Sequence, residues 1–293
     1  MKVLVLGCTG MLGHTLFTHL SSVKGLDVYA TARSSAGLSL WFPPELLNRI
    51  VTDVDACSFD TITRAVSVVK PDIVINCIGL IKQLPLAEDP LSAITINAQL
   101  PHRISLLCSA AGVRLIHIST DCVYNGKKGN YTEHDPSDAD DLYGRSKYLG
   151  EVDYPHCVTL RTSIIGHELK GKYGLIEWFL SQNKEIRGYT KALFSGFPTI
   201  ELAIIISEYV LFNAGLRGIY HLSSHPITKY HLLKLVAQKY AKNIIIEPYD
   251  DFSINRTLDS TVFRTITGYS PPSWPELVDK MYNNYMMTNL YKN

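Results

Sequence analysis

The chain has 293 residues, with 28 lysines and arginines against 27 aspartates and glutamates, and a net charge of +1. So small a charge gives no bulk attraction to nucleic acid or an anionic membrane, and no apolar stretch is long enough to cross a bilayer. Six scattered cysteines form neither a C-x-x-C pair nor a metal-ligand spacing, which predicts free thiols, no metal and a reducing cytoplasm.

Val3-Leu4-Val5-Leu6 is too short for a signal peptide and predicts a strand over 2–6. Gly7-Cys8-Thr9-Gly10-Met11-Leu12-Gly13 follows, then a helix over 11–22. A strand, a glycine-rich turn and a helix in that order seat a dinucleotide pyrophosphate. Gly7 allows the tight turn, Gly10 lets the backbone approach the phosphates, and Gly13 packs helix on strand. The amides opening the helix face the negative charge. Gly7, Thr9, Gly10, Met11, Leu12 and Gly13 are therefore the candidate cradle, against the alternative of a plain strand-turn-helix corner.

Further strands are predicted at 27–31, 49–52, 72–77, 114–119 and 156–161, alternating with helices at 59–69, 91–111 and 142–152. Strands apolar on both faces and separated by helices make a parallel sheet covered on both sides, the doubly wound α/β (Rossmann) fold. Its ligands sit outside the carboxyl ends of the strands. The pattern loosens after Arg161, predicting a dinucleotide-binding domain over 1–162 and a smaller C-terminal substrate lobe over 163–293. Within the lobe, 200–225 returns to the main sheet through a helix at 200–212 and a strand at 218–222. A helix at 229–240 and a strand at 243–248 follow, whereas 166–197 shows no clear period.

The second strand ends in Thr31-Ala32-Arg33-Ser34-Ser35. NAD-preferring folds put an acid there for the ribose 2′-hydroxyl. Here Arg33 and the hydroxyls of Ser34 and Ser35 suit a phosphate instead, so NADPH is expected over NADH. A solvated surface arginine is the alternative.

Tyr143-Gly144-Arg145-Ser146-Lys147 matches Y-x-x-x-K, which on a helix puts phenol and ammonium one turn apart. A nearby cation lowers a tyrosine pKa and suits it to protonate a carbonyl oxygen as hydride arrives. Tyr124/Lys128 and Tyr230/Lys234 share the spacing. Tyr124, however, enters the glycine-rich turn Asn125-Gly126, and Tyr230 sits on an amphipathic helix that needs it only for packing. Tyr143 alone follows a strand ending in Ser119-Thr120-Asp121, where a hydroxyl could orient the same oxygen. Asp138, Asp140 and Asp141 read as helix caps, Lys82 and Gln83 as a solvated loop, and the ten histidines as ordinary surface or core groups.

Together, Gly7-x-x-Gly10-x-x-Gly13, Thr120 and Tyr143-x-x-x-Lys147 resemble the extended short-chain dehydrogenase/reductase family. Ser119-Thr120-Asp121-Cys122-Val123-Tyr124-x-Gly126 is similar to the S-T-D-Y-V-F-x-G segment of its dTDP-4-dehydrorhamnose reductases. Leu160-Arg161-Thr162-Ser163 and Gly196-Phe197-Pro198-Thr199 resemble two further segments of theirs. The resemblance implies Tyr143 as acid, Lys147 on the nicotinamide ribose and Thr120 on the ketone. It also implies Cys77, Ile78 and Gly79 beside the cofactor and Asp53 and Val54 at the adenine. Substrate contacts would come from Asp121, Cys122, Ser163, Ser195, Pro198 and Thr199. Cys122 departs from the family's aromatic residue, which leaves the sugar open. The implied activity is NADPH-dependent reduction of the C4 ketone of a nucleoside-diphosphate 4-keto-6-deoxy sugar, in a homodimer. Alternatives are a sister epimerase or dehydratase holding NAD, and a non-catalytic NADP-binding regulatory subunit.

Overall fold

The computed structural model describes residues 1–287. Strand β1 (Lys2–Leu6) leads through the glycine turn into α1 (Met11–Ser22), then β2 (Asp27–Thr31), β3 (Ile50–Val51), α2 (Phe59–Val69) and β4 (Ile73–Asn76). Next comes α3 (Leu100–Ala111), then β5 (Arg114–Thr120), α4 (Leu142–Leu149) and β6 (Cys157–Thr162). The helix expected over 91–111 is present without a break from Pro90 to Ala111, but it is not α-helical throughout. A turn at Pro90–Ala93 and a π-helical stretch at Ile94–Gln99 precede α3. The helix expected to reach 152 stops at Leu149, with Gly150 as its C-cap.

In the second half, β7 (Ile164–Ile165) is followed by α5 (Leu175–Ser181), β8 (Ile186–Phe194), β9 (Phe197–Pro198) and α6 (Thr199–Ile205). The helix expected to run to 212 becomes π-helical over Ile206–Val210. Then come β10 (Gly218–His221), β11 (Ile227–Thr228), α7 (Lys229–Lys239), β12 (Ile246–Asn255), α8 (Thr261–Thr267) and α9 (Trp274–Met287). β12 is longer than the strand expected at 243–248, and α5 and β8 occupy the stretch in which no element was expected.

The main sheet has seven strands in the order β10-β6-β5-β4-β1-β2-β3, paired in parallel throughout. Strand period two splits the core between its faces. Val3, Val5, Ile73, Ile75 and Ile116 belong to one apolar cluster, with Leu16 and Phe17 of α1. Leu4, Leu6, Val74 and Leu115 belong to the other, with Ile62 and Val66 of α2 and Ile104 of α3. The order in which strands are added reverses between β1 and β4, so the carboxyl ends of these strands open on the crevice where such sheets bind ligands. A smaller sheet, β11-β8-β12, builds the lobe. Among the described residues no helix is long and apolar enough to cross a membrane.

Candidate active site

At the carboxyl end of β1 the cradle is cut to the backbone. Gly7 has φ +86° and its N–H donates to Thr31 Oγ1 at 3.1 Å. A Cβ on Gly13 would overlap the Gly7 carbonyl oxygen, so nothing larger than glycine lets α1 sit this close. A Cβ on Gly10 would meet no protein atom nearer than that same oxygen, at 3.6 Å. The space in front of Gly10 is therefore open. Gly10 caps α1 with no side-chain acceptor, which leaves the first-turn amides of Met11, Leu12 and Gly13 for an anion. Thr9 is half-buried at the rim. The donor set fits a pyrophosphate.

Around the cradle, Arg33 and Ser34 are exposed just past β2, and Ser34 Oγ accepts from the Ala36 amide at 3.1 Å. Asp53 takes φ 60° after β3 and its carbonyl accepts from Arg64 at 3.0 Å, while Val54 is buried. After β4, Ile78 Cγ1 lies 3.1 Å from where a Gly7 Cβ would stand, and Lys147 Nζ lies 4.0 Å from where a Gly79 Cβ would stand. The loop of Cys77, Ile78 and Gly79 thus runs between the cradle and the ammonium. Burial pushes the Cys77 thiol up to about 12.

Sequence reasoning passed over Asn97, which holds this loop. Its Oδ1 accepts from the Leu80 amide at 2.8 Å, and its Nδ2 donates to the Leu80 carbonyl at 3.2 Å and to Ser146 Oγ at 3.3 Å. The π-helical stretch carries it there, and no residue pattern announces such a bulge.

Thr120 ends β5. Its hydroxyl accepts from the Cys122 amide at 3.1 Å and donates to Asp121 Oδ1 at 3.2 Å. Helix α4 starts at Asp141, whose carboxylate accepts from the Gly144 amide at 2.7 Å. A Cβ on Gly144 would overlap the Cys122 carbonyl. That glycine lets α4 lie against the turn after Thr120, which brings the Tyr143 phenol near enough for the Thr120 hydroxyl to act on it. Lys147, one turn on, is buried and donates to the Ile118 carbonyl at 2.8 Å. Burial pushes its ammonium down to about 8, opposed by Glu151 and then Cys77.

One expectation is corrected here. Lys147 was expected to lower the Tyr143 pKa, but burial drives the phenol up, aided by Cys122 and opposed by the Thr120 hydroxyl. The ammonium is engaged by Ile118, and desolvation outweighs it.

The lobe contributes two cations that no motif announced. Arg256 Nε donates to the Tyr124 carbonyl at 2.7 Å, and its Nη1 lies 3.8 Å from Cys122 Sγ. Burial raises the Asp121 carboxyl, with Arg256 the first group opposing it. Burial likewise lowers Lys229, which Asp121 and Cys122 pull back up. Lys229 also lines a cavity of about 300 Å³ with Trp178, Arg187 and Tyr189. Each is a lone cation in sequence, brought in by tertiary folding alone. A larger cavity, about 420 Å³ between α7 and α9, holds none of the candidate residues.

The remaining substrate candidates divide. Ser163 is half-buried beside Thr162. Ser195, Pro198 and Thr199 are buried. The Ser195 hydroxyl accepts from the Leu258 amide at 3.2 Å, and that of Thr199 accepts from Thr15 at 3.1 Å. The Ser195 bond closes within the lobe, and the Thr199 bond ties the lobe to α1. The Tyr124 phenol is also used structurally, stacked on Tyr131 and donating to the Thr132 carbonyl. Lys234 rests over the Tyr230 ring. Among the described residues no group of three His, Cys, Asp or Glu could hold a metal.

The family model of the RmlD substrate binding domain matches residues 1–287. The chain belongs to that family. A dTDP-4-dehydrorhamnose reductase of Burkholderia thailandensis is 33% identical over 52% of this RmlD-family chain, a match spanning 45% of that relative's length. The methionine adenosyltransferase 2 subunit beta of Danio rerio is 25% identical over 82% of the chain and 74% of its own length. Among solved structures, the dTDP-4-dehydrorhamnose reductase of Bacillus anthracis in complex with NADP superposes with a TM-score of 0.78 at 21% identity, covering 97% of this chain and 99% of the other. That likeness is one of fold.

Proposed function

We propose that the chain is an NADPH-dependent reductase of the C4 ketone of a nucleoside-diphosphate 4-keto-6-deoxy sugar. One observation carries the reading: Thr120, Tyr143 and Lys147 arrive from two elements at the mouth of an intact glycine cradle. A chain that merely bound a dinucleotide would need the cradle alone. Gly7, Gly10, Gly13 and the first amides of α1 hold the pyrophosphate, Arg33 and Ser34 the 2′-phosphate, and Lys147 the ribose beside the loop of Cys77 to Gly79. NADPH bound there supplies the hydride.

The remaining work belongs to the side chains. Thr120 fixes the ketone oxygen, and Tyr143 gives it a proton as carbon takes up the hydride. A phenol raised by burial stays protonated at neutral pH and is a ready donor. Arg256 and Lys229, beside Asp121 and Cys122, face the substrate as a pair of cations suited to its diphosphate. The cavity of Trp178, Arg187 and Tyr189 offers rings on which a base can stack. Cys122 is small where an aromatic residue would narrow the site, leaving room on the sugar. Six unpaired thiols suit the cytoplasm, where NADPH is available.

The relation to the adenosyltransferase subunit supports a second reading, an NADP-binding regulatory subunit. Loss of NADPH absorbance against a panel of dTDP- and UDP-linked 4-keto-6-deoxy sugars separates the two. Turnover on one member, abolished in Tyr143→Phe, is the expected result. Tight NADPH binding with no turnover on any member favours the subunit.

A further inference from the structure

Behind the catalytic residues lies a carboxylate that the chemistry above does not use. Glu151 and Arg161 are an ion pair with side chains 2% and 4% exposed. Glu151 Oε1 accepts from Arg161 Nε at 2.7 Å and from Ser119 Oγ at 2.6 Å, and Oε2 accepts from Arg161 Nη2 at 2.7 Å. Arg161 Nη1 donates to the Tyr124 hydroxyl at 2.7 Å. Three elements therefore meet on one carboxylate: the chain leaving α4, the end of β5 and the end of β6.

Stability alone is a poor reason to keep such a pair, because well-packed apolar residues of the same volume serve a fold as well or better. Its position suggests another use. Ser119 stands between Ile118, whose carbonyl takes the Lys147 ammonium, and Thr120. Fixing Ser119 fixes both neighbours. Glu151 also follows Lys147 by four residues and acts on its ammonium.

We propose that Glu151, clamped by Arg161 and Ser119, is a positioning residue that holds the Ile118–Thr120 strand end in register with Lys147 and supplies the negative charge facing its ammonium. The groups around that ammonium leave the task to Glu151. From β4, the Cys77 thiol is pushed up to about 12 by burial and stays neutral. From β5, burial and Lys147 itself hold His117 well below the usual histidine range, so it is neutral too. Tyr143, on the same helix, is held in the phenol form. What the register is for rests on the reductase reading; the effect on the ammonium does not.

Two measurements keep those apart. In the protein without cofactor, the Cε carbon shift of Lys147, assigned with Lys147→Arg, is followed against pH by NMR. Wild type is expected to turn near the value of about 8, and Glu151→Gln at least about half a unit lower, roughly a threefold easier deprotonation. An unmoved midpoint in a folded variant overturns the proposal, whatever the enzyme does. If Glu151→Gln fails to fold because Arg161 is left a lone buried charge, Glu151→Gln with Arg161→Met removes both charges and is read the same way. In turnover, the alkaline limb of kcat should move toward acid in Glu151→Gln. Ser119→Ala should lower kcat about tenfold with KM for NADPH unchanged, and a KM effect alone would count against the register. If wild type turns over no panel member, the reductase reading fails while the NMR titration still decides the role of Glu151.

Discussion

Tyr143 and Arg33 test different halves of the reaction. The phenol sits against Thr120 and is not one of the first-turn amides of α1 that would hold the pyrophosphate, so removing its hydroxyl should cost chemistry and spare cofactor binding. Tyr143→Phe is expected to lower kcat by about 10³, within the usual range for a general acid, with NADPH affinity measured by fluorescence unchanged. A matching loss of affinity would mean that the phenol shapes the cradle. Arg33 is exposed and free to swing onto a phosphate, and no acid stands at the end of β2 to favour NADH. Arg33→Ala should lower kcat/KM for NADPH about tenfold, one charged hydrogen-bonding partner's worth, and leave NADH unaffected. Equal efficiency with the two cofactors in wild type, unchanged by the substitution, would sink the NADPH assignment.

Helix α4 carries both the acid and its lysine in eight residues, so its start matters beyond its length. Asp141 caps it through the Gly144 amide and also pairs with Lys82. Asp141→Ala should cost about 1 kcal/mol of stability, a fall in Tm of about 2 °C for a chain of this size. It should lower kcat more than that fraction of unfolded protein explains, because Tyr143 lies within the first turn. The cap, the cradle and the Tyr143 helix were all legible in sequence, because each rests on local chemistry: a short acceptor, glycines at fixed offsets, a one-turn spacing. The five strands from β1 to β5 read through as apolar runs because both faces of a parallel sheet are covered. β8 did not. Two of its three fully buried positions are Gly188 and Ala192, too small to register as apolar alternation, and Gly188 is there because Tyr230 and Ile246 pack on it. Asn97, Lys229 and Arg256 escaped for another reason. A π-helical turn, a helix start and a strand end bring them in, and a lone polar residue signals none of these.

Across the whole molecule, acid should act through three buried histidines: His14, His221 and His117, which burial and Lys147 hold well below the usual histidine range. His14, in α1, is fully buried with Nδ1 2.8 Å from the Gly10 carbonyl, and burial lowers its pKa to about 4. His221, in β10, is fully buried between Tyr124, Arg161 and the Tyr131 carbonyl, and burial together with Arg161 lowers it to about 4 as well. All three fall below the unfolded value of about 6.5. Between these limits the unfolded chain binds protons that the fold refuses, so stability is constant above pH 6.5 and falls as pH drops toward 4. The loss is about 2 kcal/mol per histidine by pH 5, a large share of a typical 5–15 kcal/mol. Asp121, whose carboxyl is raised by burial, works in the opposite sense near the bottom of that window. Urea midpoints should therefore be flat from pH 8 to 7 and drop steeply from 6 to 5. His221→Gln removes one of the three proton acceptors, so it should be less stable at pH 7 yet show about two-thirds of the slope. A midpoint that stays level down to pH 5 would mean that these imidazoles find a way to charge inside the fold, and that the packing around Gly10 and Arg161 is looser than its hydrogen bonds imply.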